Sequence, residues 1–311
     1  MRILLTGGTG LIGRALCAHW QAQGHRVTVW SRQPQRVAAL CAGAHGVARL
    51  SDIAPGDAPD AVVNLAGAPI ADRPWTAARQ RLLWASRVDV TEELVRWMGQ
   101  LPRPPQALLS ASAVGWYGDR QEQGLDEHSP PPAHADFGST LCQAWEAAAL
   151  RAGALGVRVS VLRIAPVLAP QGGMLGRLRL PFLLGLGGRL GSGNQWMPWV
   201  HLDDVVGLFD CVLQQRDCQG VYNACAPGAV RNAEFTQALA AALQRWAVLP
   251  APAWMLRLLL GEMAVLLLGS QHLQPLRTLQ AGYRFRHPEL RPALAALYSS
   301  RADLPPLAGA E

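Results

Sequence analysis

Apolar residues in the first 165 positions come in short continuous runs separated by longer stretches of mixed polarity. Residues 3–6, 26–30, 61–65, 106–112 and 157–164 read as strands, and residues 10–23 and 79–98 read as helices between them. Strands that alternate with helices predict an α/β fold built on a doubly wound parallel sheet. Such strands are buried on both faces, so they are continuously apolar and do not alternate. Two stretches break the rhythm. Residues 115–138 are polar and carry Pro130, Pro131 and Pro132, and residues 172–193 hold eight glycines around Arg177, Arg179 and Arg189. Both are expected to be loops. Beyond Asn223 the chain turns helical, with Asn232 expected to cap a helix over 233–246. Residues 253–269 are the most apolar stretch but are interrupted by Arg257 and Glu262. They fall short of a membrane span and read as one or two buried helices.

The first run leads directly into Thr6-Gly7-Gly8-Thr9-Gly10-Leu11-Ile12-Gly13 and then into a predicted helix. Glycines at this spacing let the chain turn tightly and bring backbone N–H groups against a pyrophosphate. They also pack the helix closely on the sheet. The helix N-terminus then presents its positive dipole end to the anion. Gly7, Gly10, Leu11, Ile12 and Gly13 are therefore expected to hold a dinucleotide. At the end of the second strand an NAD enzyme normally places Asp or Glu on the ribose hydroxyls. Here the residues are Ser31 and Arg32. A hydroxyl and a guanidinium suit a 2′-phosphate, which favours NADP(H) over NAD(H).

Composition narrows the chemistry. The chain has 311 residues, and all 28 of its Lys+Arg positions are arginine. Without lysine there is no Schiff base, no PLP linkage and no Walker-A loop. Arginine stays protonated and cannot take those roles. The net charge of +6 comes from scattered arginines with no basic run, so no nucleic-acid partner is expected, and no membrane partner either. Six cysteines (Cys17, Cys41, Cys142, Cys211, Cys218 and Cys225) include no C-x-x-C pair and read as reduced, buried thiols. Residues 2–5 run straight into Thr6-Gly7 and leave no room for the apolar core of a leader, so a cytoplasmic protein is expected.

These residues, with Asn64-Leu65-Ala66-Gly67 after a later strand, resemble the extended short-chain dehydrogenase/reductase superfamily. The resemblance tightens at Trp75, Ser86-Arg87, residues 110–118 (SASAVGWYG), Trp145-Glu146-Ala147-Ala148, residues 199–204 (WVHLDD) and Asn232-Ala233-Glu234-Phe235. Together they are similar to the atypical YfcH-type epimerase family set, which ends in a small C-terminal domain of unknown function. The resemblance implies a Rossmann domain over 1–165, completed by about 200–225. Residues 166–199 and 226–311 would then form a substrate-side region and the small C-terminal domain. It also implies that Leu65, Ala66 and Gly67 line the cofactor, that Arg87 reaches it, and that Val167 touches its nicotinamide end.

The superfamily's usual chemistry needs Ser, Tyr and Lys, with Tyr and Lys four apart on one helix. Ser112 matches the serine, but the helix carries Phe137 and Leu141 at the other two positions. The standard proton relay is therefore absent. Tyr117 either donates a proton in its place or packs the pocket, because an ordinary tyrosine is protonated near neutral pH. Ser112 either anchors a substrate or is a small residue beside the cofactor. His201 either meets substrate or has a structural role, with Asp203 expected to cap the helix from Val205. Most of Asp119, Glu122, Asp126, Glu127, His128, His134 and Asp136 read as solvated, none is assigned as acid or base, and no histidine spacing suggests a metal. The arginines of the glycine-rich segment either close over an anionic ligand or stay solvated. Two functions follow from these residues. One is an NADP(H)-dependent oxidoreductase or epimerase acting on a small carbonyl compound. The other is a catalytically silent NADP(H)-binding sensor.

Overall fold

Seven strands form one parallel sheet in the computed structural model, which describes residues 1–170 and 172–298. They are β1 (Arg2–Thr6), β2 (Arg26–Trp30), β3 (His45–Val47), β4 (Ala61–Asn64), β5 (Ala107–Ala113), β6 (Arg158–Ile164) and, after a stretch of short strands, β9 (Gly220–Ala224). The spatial order is β9-β6-β5-β4-β1-β2-β3. The order reverses between β1 and β4, where Thr6 lies opposite Asn64. A doubly wound sheet opens its ligand crevice at that switch point.

Successive side chains of a strand point to opposite faces, and here both faces are covered. Ile3 and Leu5 pack with Leu16 and Trp20 of helix α1 (Leu11–Ala22), while Leu4 packs with Leu94 and Met98 on the other face. Helix α2 (Ala77–Trp84) runs through a π-helical turn at Ala85–Asp89 into α3 (Val90–Gln100). Helix α4 (Phe137–Leu150) packs beside α3 on the same face. The short strands β7 (Val167–Ala169) and β8 (Val200–His201) pair with each other above the sheet.

Several expectations change. The glycine-rich segment contains a helix, α5 (Gly173–Leu183), because Leu175 and Phe182 anchor it in a second apolar cluster. Helix α6 (Leu202–Gln214) starts before Asp203, and its cap is His201, whose Nδ1 accepts the Asp203 amide at 3.1 Å. Asn232 is the first residue of α7 (Asn232–Ala242) and not its cap. Its side-chain oxygen instead accepts the Leu190 amide at 2.8 Å and ties down the glycine-rich segment. That helix stops at Ala242, and Gln244 turns the chain at a φ of 54°. In the apolar stretch, α8 (Ala253–Leu260) buries only Leu256, while Trp254 and Leu258 are 68% and 77% exposed. Gly261 at a φ of 56° separates it from α9 (Val265–Leu268). No helix among the described residues is long and apolar enough to cross a membrane.

The segment between the last helices, α10 (Leu276–Gln280) and α11 (Leu290–Tyr298), is fastened to the start of α6 by polar groups. Asp204 does most of this. Its carboxylate accepts the Arg286 amide at 2.7 Å, the His287 amide at 3.0 Å and the Tyr283 hydroxyl at 3.1 Å. Replacing it with alanine leaves buried donors without an acceptor, each costing about 1–3 kcal/mol. Asp204→Ala is therefore expected to lower unfolding free energy by roughly 2–4 kcal/mol in urea titration. A loss under about 1 kcal/mol would show that these bonds are replaced by water.

Candidate active site

The glycine turn is shaped by close backbone approach. Gly7 has a φ of 67°, and a Cβ there would lie 2.4 Å from the Leu65 carbonyl oxygen. A Cβ on Gly13 would lie 2.4 Å from the Gly7 carbonyl oxygen. Gly10 closes the turn by donating its amide to Gly7 at 3.0 Å. Helix α1 then begins with no side-chain cap and no acidic residue in its first turn. The amides of Leu11, Ile12 and Gly13 are thus left for an anion. Leu11 packs against Gly172, so the crevice has a wall from the second half of the chain.

At the far end of the crevice, the Ser31 amide continues the β2–β3 pairing to the Val47 carbonyl. The Ser31 hydroxyl accepts the Gln33 amide at 3.1 Å. Arg32 beside it is exposed, so its guanidinium can turn toward a phosphate.

The loop after β4 is held by a network that sequence reading did not assign. Thr6 Oγ1 donates to Asn64 Oδ1 at 2.7 Å and accepts the amides of Leu65 and Ala66 at 3.0 Å. Asn64 Nδ2 donates to Thr91 at 2.7 Å and to Ser110 at 3.3 Å. Thr91 in turn donates to the Arg87 carbonyl at 2.6 Å. Asn64 and Ser110 are buried polar residues at the ends of apolar runs, the one sequence signal for this network, while Thr91 stands among charged residues with no such signal. The same network brings Arg87 under Gly67, where a Cβ would sit 2.9 Å from the guanidinium carbon. Arg87 donates to the Ala68 carbonyl at 3.0 Å and lies 5.4 Å from the Trp145 ring centre. Burial pulls its pKa down to about 10, so it remains a cation at neutral pH.

At the ends of β5 and β6, Ser112 lies opposite Arg163, and Arg163 lies opposite Asn223 of β9. Ser112 donates its hydroxyl proton to Glu146 Oε1 at 2.6 Å. Arg163 grips both oxygens of that carboxylate at 2.8 Å and stacks 3.4 Å from the Trp116 ring centre. Tyr117 is fully buried and donates to Asn223 Oδ1 at 2.8 Å. Burial pushes its pKa up to about 12 despite the nearby Arg163. Of its two readings, the geometry gives the packing role. Where the resemblance expects Tyr and Lys, Phe137 meets the edge of Trp75 and Leu141 is buried in the same apolar cluster. Val167 opens β7, and its carbonyl lies 2.7 Å from where a Cβ on Gly173 would sit.

Several polar residues read as solvated are structural. Glu127 is buried and accepts the amides of Asn223 at 2.9 Å and Arg277 at 3.1 Å. Asp136 caps α4 through the Ser139 amide at 2.7 Å, Asp119 accepts the Ser270 amide, and Glu122 pairs with Arg231. Arg177 of α5 is paired with Asp72 and the Ala71 carbonyl, which ties α5 to the loop after β4. Folding also brings the His201 and His287 rings to 3.8 Å between centres at a tilt of 33° and places both near Asp203. His201 is held below its usual pKa by burial and then by His287, and its Nδ1 is already engaged as the α6 cap.

Comparison with known proteins gives a consistent picture. The model of the NAD dependent epimerase/dehydratase family matches residues 3–225, and the domain of unknown function DUF1731 matches residues 251–297. The epimerase family protein SDR39U1 of Bos taurus is 41% identical over 302 residues, covering 94% of this chain and 98% of its own. Epimerase family protein YfhF of Bacillus subtilis is 31% identical over 309 residues, covering 97% of this chain and 99% of its own. Human SDR39U1 (isoform 2), crystallised with NADPH, superposes with a TM-score of 0.85 at 37% identity, covering 96% of this chain and 99% of that one. A Bacillus cereus UDP-glucuronic acid 4-epimerase, at 15% identity and a TM-score of 0.76, shares the fold.

The position of Tyr117 has a consequence for alkaline stability. Its folded pKa of about 12 lies above the ordinary value of 10. The stability this contributes is full below pH 10 and is lost as pH rises toward 12. Tyr117→Phe is expected to flatten the stability decline over that window, by on the order of 2 kcal/mol. Denaturant midpoints measured at pH 9, 10 and 11 would check it. An unchanged slope would contradict the buried, neutral phenol.

Proposed function

The chain belongs to the NAD dependent epimerase/dehydratase family, and from that premise we propose that it binds NADP(H) and reduces or epimerises a small carbonyl compound without the superfamily's usual proton relay. The observation that carries the reading is the uncapped start of α1 above a turn that only glycines can make. The bound cofactor would supply hydride chemistry. Gly7, Gly10 and Gly13 would let the chain approach a pyrophosphate, and the first amides of α1 would meet its charge. Arg32 and Ser31 would take a 2′-phosphate, an end at which an acidic residue would repel it. Leu65, Ala66, Gly67 and Val167 would line the crevice, with Arg87 a fixed cation beneath the loop.

In this reading Ser112 and Glu146 form the proton route. In the oxidative direction, a substrate hydroxyl gives its proton to Ser112 Oγ as the serine proton passes to Glu146 at 2.6 Å. In the reductive direction Ser112 gives its proton to the substrate oxygen, and Glu146, first protonated from water, restores the serine proton. Arg163 is the positioning residue that holds the carboxylate toward Ser112. The leucine at position 141 cannot tune a neighbouring phenol, and the phenylalanine at 137 has no proton to give. A serine–carboxylate pair is the remaining acid–base unit at the end of β5.

One observation favours the silent, cofactor-sensing reading. The Ser112 and Tyr117 hydroxyls and the Glu146 carboxylate are all satisfied by protein partners. Ser112 is also only 3% exposed.

Two measurements test the proposal. Arg32→Asp is expected to shift the NADPH/NADH affinity ratio at least tenfold toward NADH in fluorescence titration, and an unchanged ratio would refute the 2′-phosphate assignment. Ser112→Ala keeps the Glu146–Arg163 pair and is expected to lower NADPH-coupled turnover of a carbonyl panel at least 100-fold with cofactor affinity retained. Unaltered turnover would eliminate the serine–carboxylate route. Wild-type protein that binds NADPH tightly but turns over nothing would sink the oxidoreductase reading.

A further inference from the structure

Among the described residues, every large apolar side chain more than half exposed falls within two segments, 180–186 and 246–259. The fold lays these segments side by side. The Leu249 amide donates to the Gly187 carbonyl, the Ala251 amide to Arg189, and the Gly191 amide to Ala251. Arg245 adds a side-chain bond to the Leu183 carbonyl. Leu184, Leu186, Trp246, Val248, Trp254 and Leu258 therefore share one region of surface, with Trp246 the most exposed at 83%. Single exposed apolar residues need no account, but a cluster of this kind marks an interaction surface.

Charge indicates what covers it. Residues 172–200 and 235–261 contain Arg177, Arg179, Arg189, Arg245 and Arg257 and no aspartate or glutamate. Asp72 offsets Arg177, and Glu234 and Glu262 border the second stretch, while the face itself, residues 180–191 and 245–259, keeps the exposed Arg189 and Arg257 with no acidic residue. A second copy of this chain would set this basic face against itself, and like charges across an interface are repulsive. A surface that offers an apolar layer beneath anionic groups matches both features. Tryptophan settles at the boundary between headgroups and acyl chains, and arginine stems lie along apolar surface while the guanidinium reaches phosphate. Helix α8 is 8 residues long, with only Leu256 buried and Trp254, Leu258 and Leu259 exposed. It is too short to span a bilayer and suited to lying on one.

We propose that the face formed by residues 180–191 and 245–259 docks on an anionic lipid surface, with Trp246, Trp254 and Leu258 entering the headgroup boundary and Arg189 and Arg257 meeting phosphate. The docking is peripheral, so it needs no spanning segment, and it departs from the sequence expectation of no membrane partner because the exposed apolar cluster is assembled only by the fold. It is also independent of the cofactor reading.

The test is co-sedimentation of the full chain with vesicles of phosphatidylcholine alone or with 30% phosphatidylglycerol. Binding to the anionic vesicles is expected to be at least tenfold tighter and to weaken as salt is raised. Trp246→Ser with Trp254→Ser is expected to reduce binding at least tenfold, with circular dichroism and thermal unfolding unchanged because both side chains are exposed. Arg189→Gln with Arg257→Gln is expected to erase most of the preference for anionic vesicles. No binding to either vesicle, or equal binding to both, would overturn the proposal. So would a dimer in sedimentation velocity that the tryptophan double variant dissociates in the absence of lipid, since the face would then be covered by a second copy.

Discussion

The side-chain amide of Asn64 sits where the sheet reverses its strand order, and it is completely buried. A buried amide must be hydrogen-bonded or it costs most of what an interaction contributes. Here the requirement is met by Thr6 from β1, Ser110 from β5 and Thr91 from α3. One side chain thus fixes the spacing of three elements. Thr6, held by Asn64, in turn receives the two amides that begin the loop over the crevice. The glycine turn and the Arg87 guanidinium are both referred to that loop, through the Leu65 carbonyl and the Ala68 carbonyl. The crevice is therefore a property of a polar knot inside an otherwise apolar layer, and a knot with one strand missing would be worse than none.

The absence of lysine takes on a structural meaning in this setting. A mobile ammonium near the nicotinamide end would be replaced by two arginines that do not move. Arg87 is buried between backbone carbonyls and an indole face, and Arg163 is locked bidentately to Glu146. Guanidinium is weakly hydrated and planar, which suits it to stacking and forked pairing where an ammonium would need water. These charges shape the local field, but neither can pass on a proton. The nearby hydroxyl and carboxylate oxygens of Ser112, Tyr117 and Glu146 are all held by protein partners.

The sequence made the doubly wound sheet legible because both of its faces are apolar and its strands are continuous. The glycine motif and the departure at Phe137 and Leu141 were equally plain. The tertiary pairs were not. Glu127 lies in a polar loop and looks solvated, yet 96 residues later it meets the Asn223 amide. Nothing local distinguishes it from Glu122 five positions earlier, which stays at the surface with Arg231. Tyr117 looked available because it follows Ser112 so closely, but the short 3-10 turn at Val114–Tyr117 carries its ring into the core. The helix at Gly173–Leu183 was hidden by its glycines, since the two buried anchors are seven residues apart with flexible positions between them.

Glu127 accepts one amide from Asn223 and another from Arg277, and Thr278 closes the ring by donating to the Asn223 carbonyl. Gln271 meanwhile donates to the carbonyls of Val114 and Gly118. These bonds cross the gap between the two stretches of chain that family comparison treats as separate. The C-terminal stretch is hydrogen-bonded along the edge strand β9, through Arg277 to the Val221 carbonyl and Thr278 to the Asn223 carbonyl. Exchange of either stretch between relatives would succeed only if the carboxylate at 127, the asparagine at 223 and their receiving backbone travelled together.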